Sequence, residues 1–96
     1  MACLGETNQM TEVNPEIRNR IRLAVAAYAY EYCHDSIMSD HEFDELSLKI
    51  DPEADTGNAL LDHFFRLHFE PATGMWIRNH PEIVKIMMLY HQYYKG

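Results

Sequence analysis

Basic residues are scarce in this chain. There are eight, only three of them lysine (Lys49, Lys85, Lys95), against fifteen acids, for a formal net charge of −7. Holding a nucleic-acid backbone requires lysine and arginine to displace counterions from phosphates, so direct nucleic-acid binding is not expected. Cysteine is nearly absent: Cys3 and Cys33 form no CxxC pair, which argues against a disulfide framework and points to two reduced thiols in a cytoplasmic setting. No stretch approaches the roughly 20 apolar residues that cross a bilayer, and the start lacks a basic segment followed by an apolar one, so no membrane partner is expected. With four glycines there is no Gly-rich phosphate loop and no G-x-S-x-G elbow. His34, His41, His63, His68, His80 and His91 include no H-x-x-x-H or H-E-x-x-H spacing, so no metal site is expected. Strand-like alternation, internal repeats and low-complexity tracts are also missing.

What remains is the material of a small helical domain. Ninety-six residues, 47% of them hydrophobic, suffice for one core without staples. Residues 1–13 read as a flexible tail and 14–96 as a single domain. Asn14-Pro-Glu16 supplies an N-cap, a proline at the first helical position and a first-turn acid, and the chain then runs to about His34 without glycine or proline. Ile17, Ile21, Ala24, Val25, Tyr28 and Tyr32 form its main apolar stripe, with Leu23, Ala27 and Tyr30 on a second side, so this helix should pack on two sides. Ser39-Asp-His-Glu42 is a capping box that starts a second helix, ended near Asp51-Pro52.

A third helix is expected from near Asp55 or Thr56 to about Phe69, with Leu60, Phe64 and Leu67 inward and an Asp62–Arg66 surface pair. Asn79-His-Pro-Glu82 then opens a last helix to about Tyr94. Its stripe of Ile83, Ile86, Met87, Tyr90 and Tyr94 is flanked by Leu89 and Tyr93 on one side and Val84 and Met88 on the other. That is more apolar surface than one neighbour covers, so the helix is either central or part of a homodimer seam. The fold class is all-α: a compact bundle of four helices with an N-terminal helical hairpin.

Charge is unevenly placed. Eight acids lie between Asp35 and Asp55 against one base, Lys49, while residues 57–96 hold three acids and four bases. The negative middle serves either as a solvated face or as a docking surface for a basic protein partner. Within it, Asp40 and Asp44 stand four apart at the start of the second helix, so both carboxylates project from one face beside Phe43. The turn from Cys33 to Met38 folds the first two helices into a hairpin that can bring Tyr30 or Tyr32 to the same face. The same residues also have a purely structural reading, with Ser39, Asp40 and Glu42 as caps and Phe43 as core.

The stretch Tyr28-Ala-Tyr-Glu-Tyr-Cys-His-Asp-Ser-Ile-Met-Ser-Asp-His-Glu-Phe-Asp-Glu-Leu46 resembles the small helical N-terminal domain of NAD-dependent DNA ligases, over roughly residues 20–50. In that family a first-helix tyrosine is followed by a histidine and, ten residues past the tyrosine, by an aspartate opening a D-x-E-Y-D signature. The corresponding residues here are Tyr30, Glu31 and Asp40-His-Glu-Phe-Asp44, without a gap. The resemblance implies that Tyr30 and Phe43 stack on a nicotinamide ring while Asp40 and Asp44 accept hydrogen bonds from the carboxamide and ribose of nicotinamide mononucleotide (NMN) or NAD. It also suggests a bacterial or bacteriophage origin. Glu31 stands where the family has a histidine near phosphate, and Phe43 lacks the hydroxyl of the usual tyrosine. The K-x-D-G motif that carries the adenylylated lysine is absent, so strand joining by this chain is not expected.

Thr73-Gly-Met-Trp-Ile-Arg-Asn-His-Pro81 carries the only tryptophan. Trp76 and Arg78 there read either as recognition anchors, joined by Glu45 of the acidic helix, or, for the tryptophan, as a seal on the core with Gly74 supplying an unusual backbone angle. The leading expectation is a non-catalytic accessory or regulatory protein acting through a basic protein partner, with no resident cofactor. The alternative is a nicotinamide-nucleotide binding module.

Overall fold

The computed structural model describes residues 15–71 and 73–94, and among these described residues it holds four α-helices and one 3-10 helix. The expected tail of residues 1–13, the cap at Asn14 and Cys3 lie outside the described residues. The helices are α1 (Pro15–Cys33), α2 (Asp40–Lys49), α3 (Ala59–His68) and α4 (Ile83–Tyr93), with the 3-10 segment at Met75–Asn79. No strand occurs among the described residues, and none of their helices is long and apolar enough to cross a membrane.

α1 is the central element, packed against α2, the 3-10 segment and α4. Its run Leu23-Ala-Val-Ala-Ala-Tyr-Ala29 is buried without interruption. Four alanines in that run explain how neighbours approach from every side: a methyl group lets a second backbone come close where a longer side chain would hold it off. The two-sided packing expected from periodicity is thus exceeded in the middle of α1. Toward its ends Ile21 and Tyr32 are exposed, although both belong to the expected stripe. The last helix, a candidate for the centre, lies against one side of α1: Ile86 and Tyr90 are buried while Val84, Met88, Tyr93 and Tyr94 face outward.

Arg20 sets the position of α3. Its buried guanidinium donates to Glu16 Oε2 (2.7 Å), Asp62 Oδ1 (2.7 Å) and the Asp51 carbonyl (2.8 Å), and lies 4.6 Å over the Phe65 ring. Asp62 in turn accepts from the Thr56 N–H (2.9 Å) and hydroxyl (2.7 Å). Burial works to raise the Asp62 carboxyl, but the bonds from Thr56 and Arg20 outweigh it and hold the group below the usual carboxylate range. This network ties the start of α1 to the loop over residues 50–58. Gly57, at φ 90°, completes the loop in a conformation costly for any residue with a Cβ.

Three expectations for α3 are corrected here: its start, its inward face and the Asp62–Arg66 pair. The helix starts at Ala59, capped by Asn58, whose side chain accepts from the Leu61 N–H, because Asp55 and Thr56 are occupied in the loop. Its phase is also rotated. Leu60 (55% exposed) and Leu67 (60%) point outward, while Phe64 and Phe65 are buried with Asp62, which pairs with Arg20. Arg66 pairs instead with Glu53 at 3.2 Å.

An aromatic cluster closes the core. Trp76 lies within 5.2–6.2 Å of the rings of Phe64, Phe65 and Phe69. His80 packs on Phe64 (5.2 Å) and Phe65 (6.3 Å), and its Nδ1 accepts from the Glu82 N–H at 3.0 Å. Buried in that setting, the imidazole is pushed down to about 4, so it is neutral near neutral pH. Two buried polar atoms, Ser47 Oγ and Trp76 Nε1, have no hydrogen-bond partner among the described residues.

Candidate functional site

The hairpin between α1 and α2 is held by local chemistry at each step. His34 adopts a left-handed conformation (φ 54°), which ends α1, and the Asp35 N–H reaches back to the Ala29 carbonyl at 2.9 Å. The Asp35 carboxylate accepts a 2.6 Å bond from the Tyr90 hydroxyl, tethering the turn to α4. That bond, reinforced by burial, raises the Tyr90 hydroxyl far above its ordinary value, so the tyrosine stays a donor. At Ser39 both arms of the capping box form, the Glu42 N–H to Ser39 Oγ at 3.0 Å and the Ser39 N–H to Glu42 Oε1 at 2.9 Å. The Ser39 N–H bond is the main cause that holds the Glu42 carboxyl below its usual range, with the hydroxyl and the Arg22 charge adding to it.

These constraints enclose a cavity of about 300 Å³ between α1, the turn and α2, and Tyr30, Asp40, Phe43 and Asp44 all line it. Tyr30 is 61% exposed, which places its ring on the rim, and Phe43 is half-buried. Both aspartates are exposed, and neither has a hydrogen-bond or ion-pair partner among the described residues. Asp40 lies in the first turn of α2, where the helix dipole favours its charge. Aromatic surface and two unspent carboxylates therefore meet in one concavity.

Several lining residues escaped sequence reasoning. Ala26 and Ala27 from α1, Ser36, Ile37 and Met38 from the turn, and Thr73 and Gly74 before the 3-10 helix complete the wall. Gly74 matters through space rather than backbone angle, its φ being an ordinary −103°. A Cβ there would meet Ala27 Cβ at 3.3 Å and Phe43 Cζ at 3.4 Å, so the glycine lets Phe43 lie down against α1. The sequence signal for this contact, a glycine able to pack on an alanine run, is visible only once the fold brings residues 27 and 74 together.

The three expected interaction residues are not part of this cavity. Trp76 is only 4% exposed, so it cannot anchor a partner: the ring seals the core against Phe64, Phe65 and Phe69. Glu45 is exposed and lies 3.2 Å from His41 Nε2. Arg78 lies 3.2 Å from Glu31 and 5.9 Å over the Tyr32 ring.

A second cavity of about 230 Å³ lies between the start of α1, α3 and α4, with Ile17, Ile21, Leu61, Phe65, Ile86 and Leu89 among its walls and Arg20, His80 and Lys85 at its edge. No group of three or more His, Cys, Asp or Glu side chains is placed to hold a metal ion among the described residues. No family model matches the chain, and neither the curated proteins nor the solved structures include a match.

Proposed function

We propose that this protein is a non-catalytic binding domain whose α1–α2 cleft takes a flat, positively charged ring, with nicotinamide nucleotides as the ligand class. The observation that carries the reading is the convergence of Tyr30, Phe43, Asp40 and Asp44 on one cavity of about 300 Å³, a volume at the lower end of small-molecule sites. A pyridinium ring gains from an aromatic face by about 0.5–2 kcal/mol, depending on desolvation, and gains further from carboxylates nearby. Asp40 and Asp44 have acceptor capacity left for a carboxamide N–H or a sugar hydroxyl, since neither is spent on the fold. Calorimetric titration with NMN and NAD, in wild type and in the Asp40→Asn, Asp44→Asn double variant, tests the proposal. Saturable heat that weakens in the variant supports it; no heat at millimolar ligand, or equal heat in both proteins, rejects it.

A second reading, docking of a basic protein partner, draws on the same helix. Asp40, Asp44 and Glu45 are all exposed on α2, and Leu48, one turn beyond Asp44, is 77% exposed. Capture of a partner in this mode should fall steeply with added salt and disappear when these acids are reversed to lysine. Binding indifferent to both changes eliminates it.

A further inference from the structure

The cavity's charge is one-sided. Its lining carries two carboxylates, Asp40 and Asp44, and no lysine, arginine or histidine. The next base along that face of α1 is Arg22, one turn before Ala26, and its field falls on the Glu42 carboxylate. Arg78 is engaged by Glu31. Glu31, which follows Tyr30, is spent on that pair and adds no net charge at the rim. A phosphate attached to a ring held here would meet negative charge without a cation in the wall to neutralise it.

We infer that the α1–α2 cleft selects a phosphate-free aromatic monocation, an N-alkyl or N-glycosyl pyridinium, over the corresponding phosphorylated nucleotide. The inference rests on the charged-ring reading proposed above and shifts its preferred ligand from the nucleotides to their phosphate-free counterparts. Tyr30 and Phe43 supply the aromatic surface, and the Asp40 and Asp44 carboxylates offset the ring's charge. A ligand with a phosphate monoester brings up to two negative charges into the same field. A neutral ring keeps the stacking and forfeits the attraction.

Calorimetry of the full chain with 1-methylnicotinamide, nicotinamide riboside, neutral nicotinamide and NMN separates these cases. The two phosphate-free cations are expected to bind about tenfold more tightly than NMN and than neutral nicotinamide at low ionic strength, with the gap narrowing as salt is added. In the Asp40→Asn, Asp44→Asn variant, whose altered side chains are exposed and make no bonds in the fold, the preference should collapse while the circular dichroism spectrum is unchanged. NMN binding as tightly as the monocations, with that affinity lost in Arg22→Gln, would overturn the inference and leave the ligand class standing. Equal affinity for 1-methylnicotinamide and neutral nicotinamide would also overturn it, because charge would then not be read. Absence of saturable heat with every ligand removes both the inference and the reading beneath it.

Discussion

Acidification should weaken this fold through His80 before the carboxylates are involved. The imidazole is packed on Phe64 and Phe65, and burial pushes it down to about 4 from an ordinary 6.5. Near neutral pH the native and unfolded chains both hold the group neutral, so it contributes no pH dependence there. As pH falls through 6.5 the unfolded chain takes up a proton that the native protein refuses, and stability is lost until the native group also titrates near 4. Linkage over that interval, discounted for residual solvent access, gives a loss of about 1 kcal/mol between about pH 7.5 and 5.5, and about 1.5 kcal/mol by about pH 5. Arg20, Lys85 and Glu82 line the cavity that His80 also borders and are present in both proteins to be compared. The assay is urea unfolding followed by Trp76 fluorescence, in wild type and in His80→Asn. The asparagine carbonyl can accept the same Glu82 N–H but does not titrate. Wild type should lose stability faster than the variant on acidification; parallel pH profiles would refute the assignment of a buried neutral imidazole.

Other consequences follow from the packing. Trp76→Ala should cost about 3–5 kcal/mol by urea unfolding, read by circular dichroism, and the wild-type fluorescence should be blue-shifted and resistant to acrylamide. Ser47→Ala should be neutral or stabilising by up to about 1 kcal/mol, since it removes a buried hydroxyl with no partner; a clear loss would mean that the hydroxyl is bonded. Arg20→Met should lower the urea midpoint more than the Arg20→Met, Asp62→Leu double variant does, because the single change strands a buried carboxylate. If the outward stripe of α4 forms a dimer seam, Val84→Glu with Met88→Glu should abolish any concentration dependence of mass in analytical ultracentrifugation.

The elements with local punctuation were legible in the sequence, and those fixed by distant partners were not. Ser39 and Glu42 announce α2 within four residues, and the structure has the reciprocal bonds they predict. The α1–α2 hairpin followed from that start and from the end of α1 near His34, which is why Tyr30, Asp40, Phe43 and Asp44 could be grouped as candidates. α3 lacked such a guide. Leu60, Leu61, Phe64, Phe65 and Leu67 make more than one inward face plausible, and the choice falls to Arg20 and Asp62, paired across forty-two positions. Arginine is rarely fully buried, so periodicity gave no reason to place Arg20 inside. The floor of the cavity was hidden for a similar reason: Gly74 meets Ala27 and Phe43 only after three helices have docked.

Amide chemical-shift mapping during titration with 1-methylnicotinamide and NMN tests the central claim most directly. If the cleft is the ligand site, shifts will saturate and concentrate on Ala26, Tyr30, Ile37, Asp40, Phe43, Asp44 and Gly74, while residues around Arg20 and His80 stay still. Shifts absent at millimolar ligand, or centred on the second cavity, would contradict it.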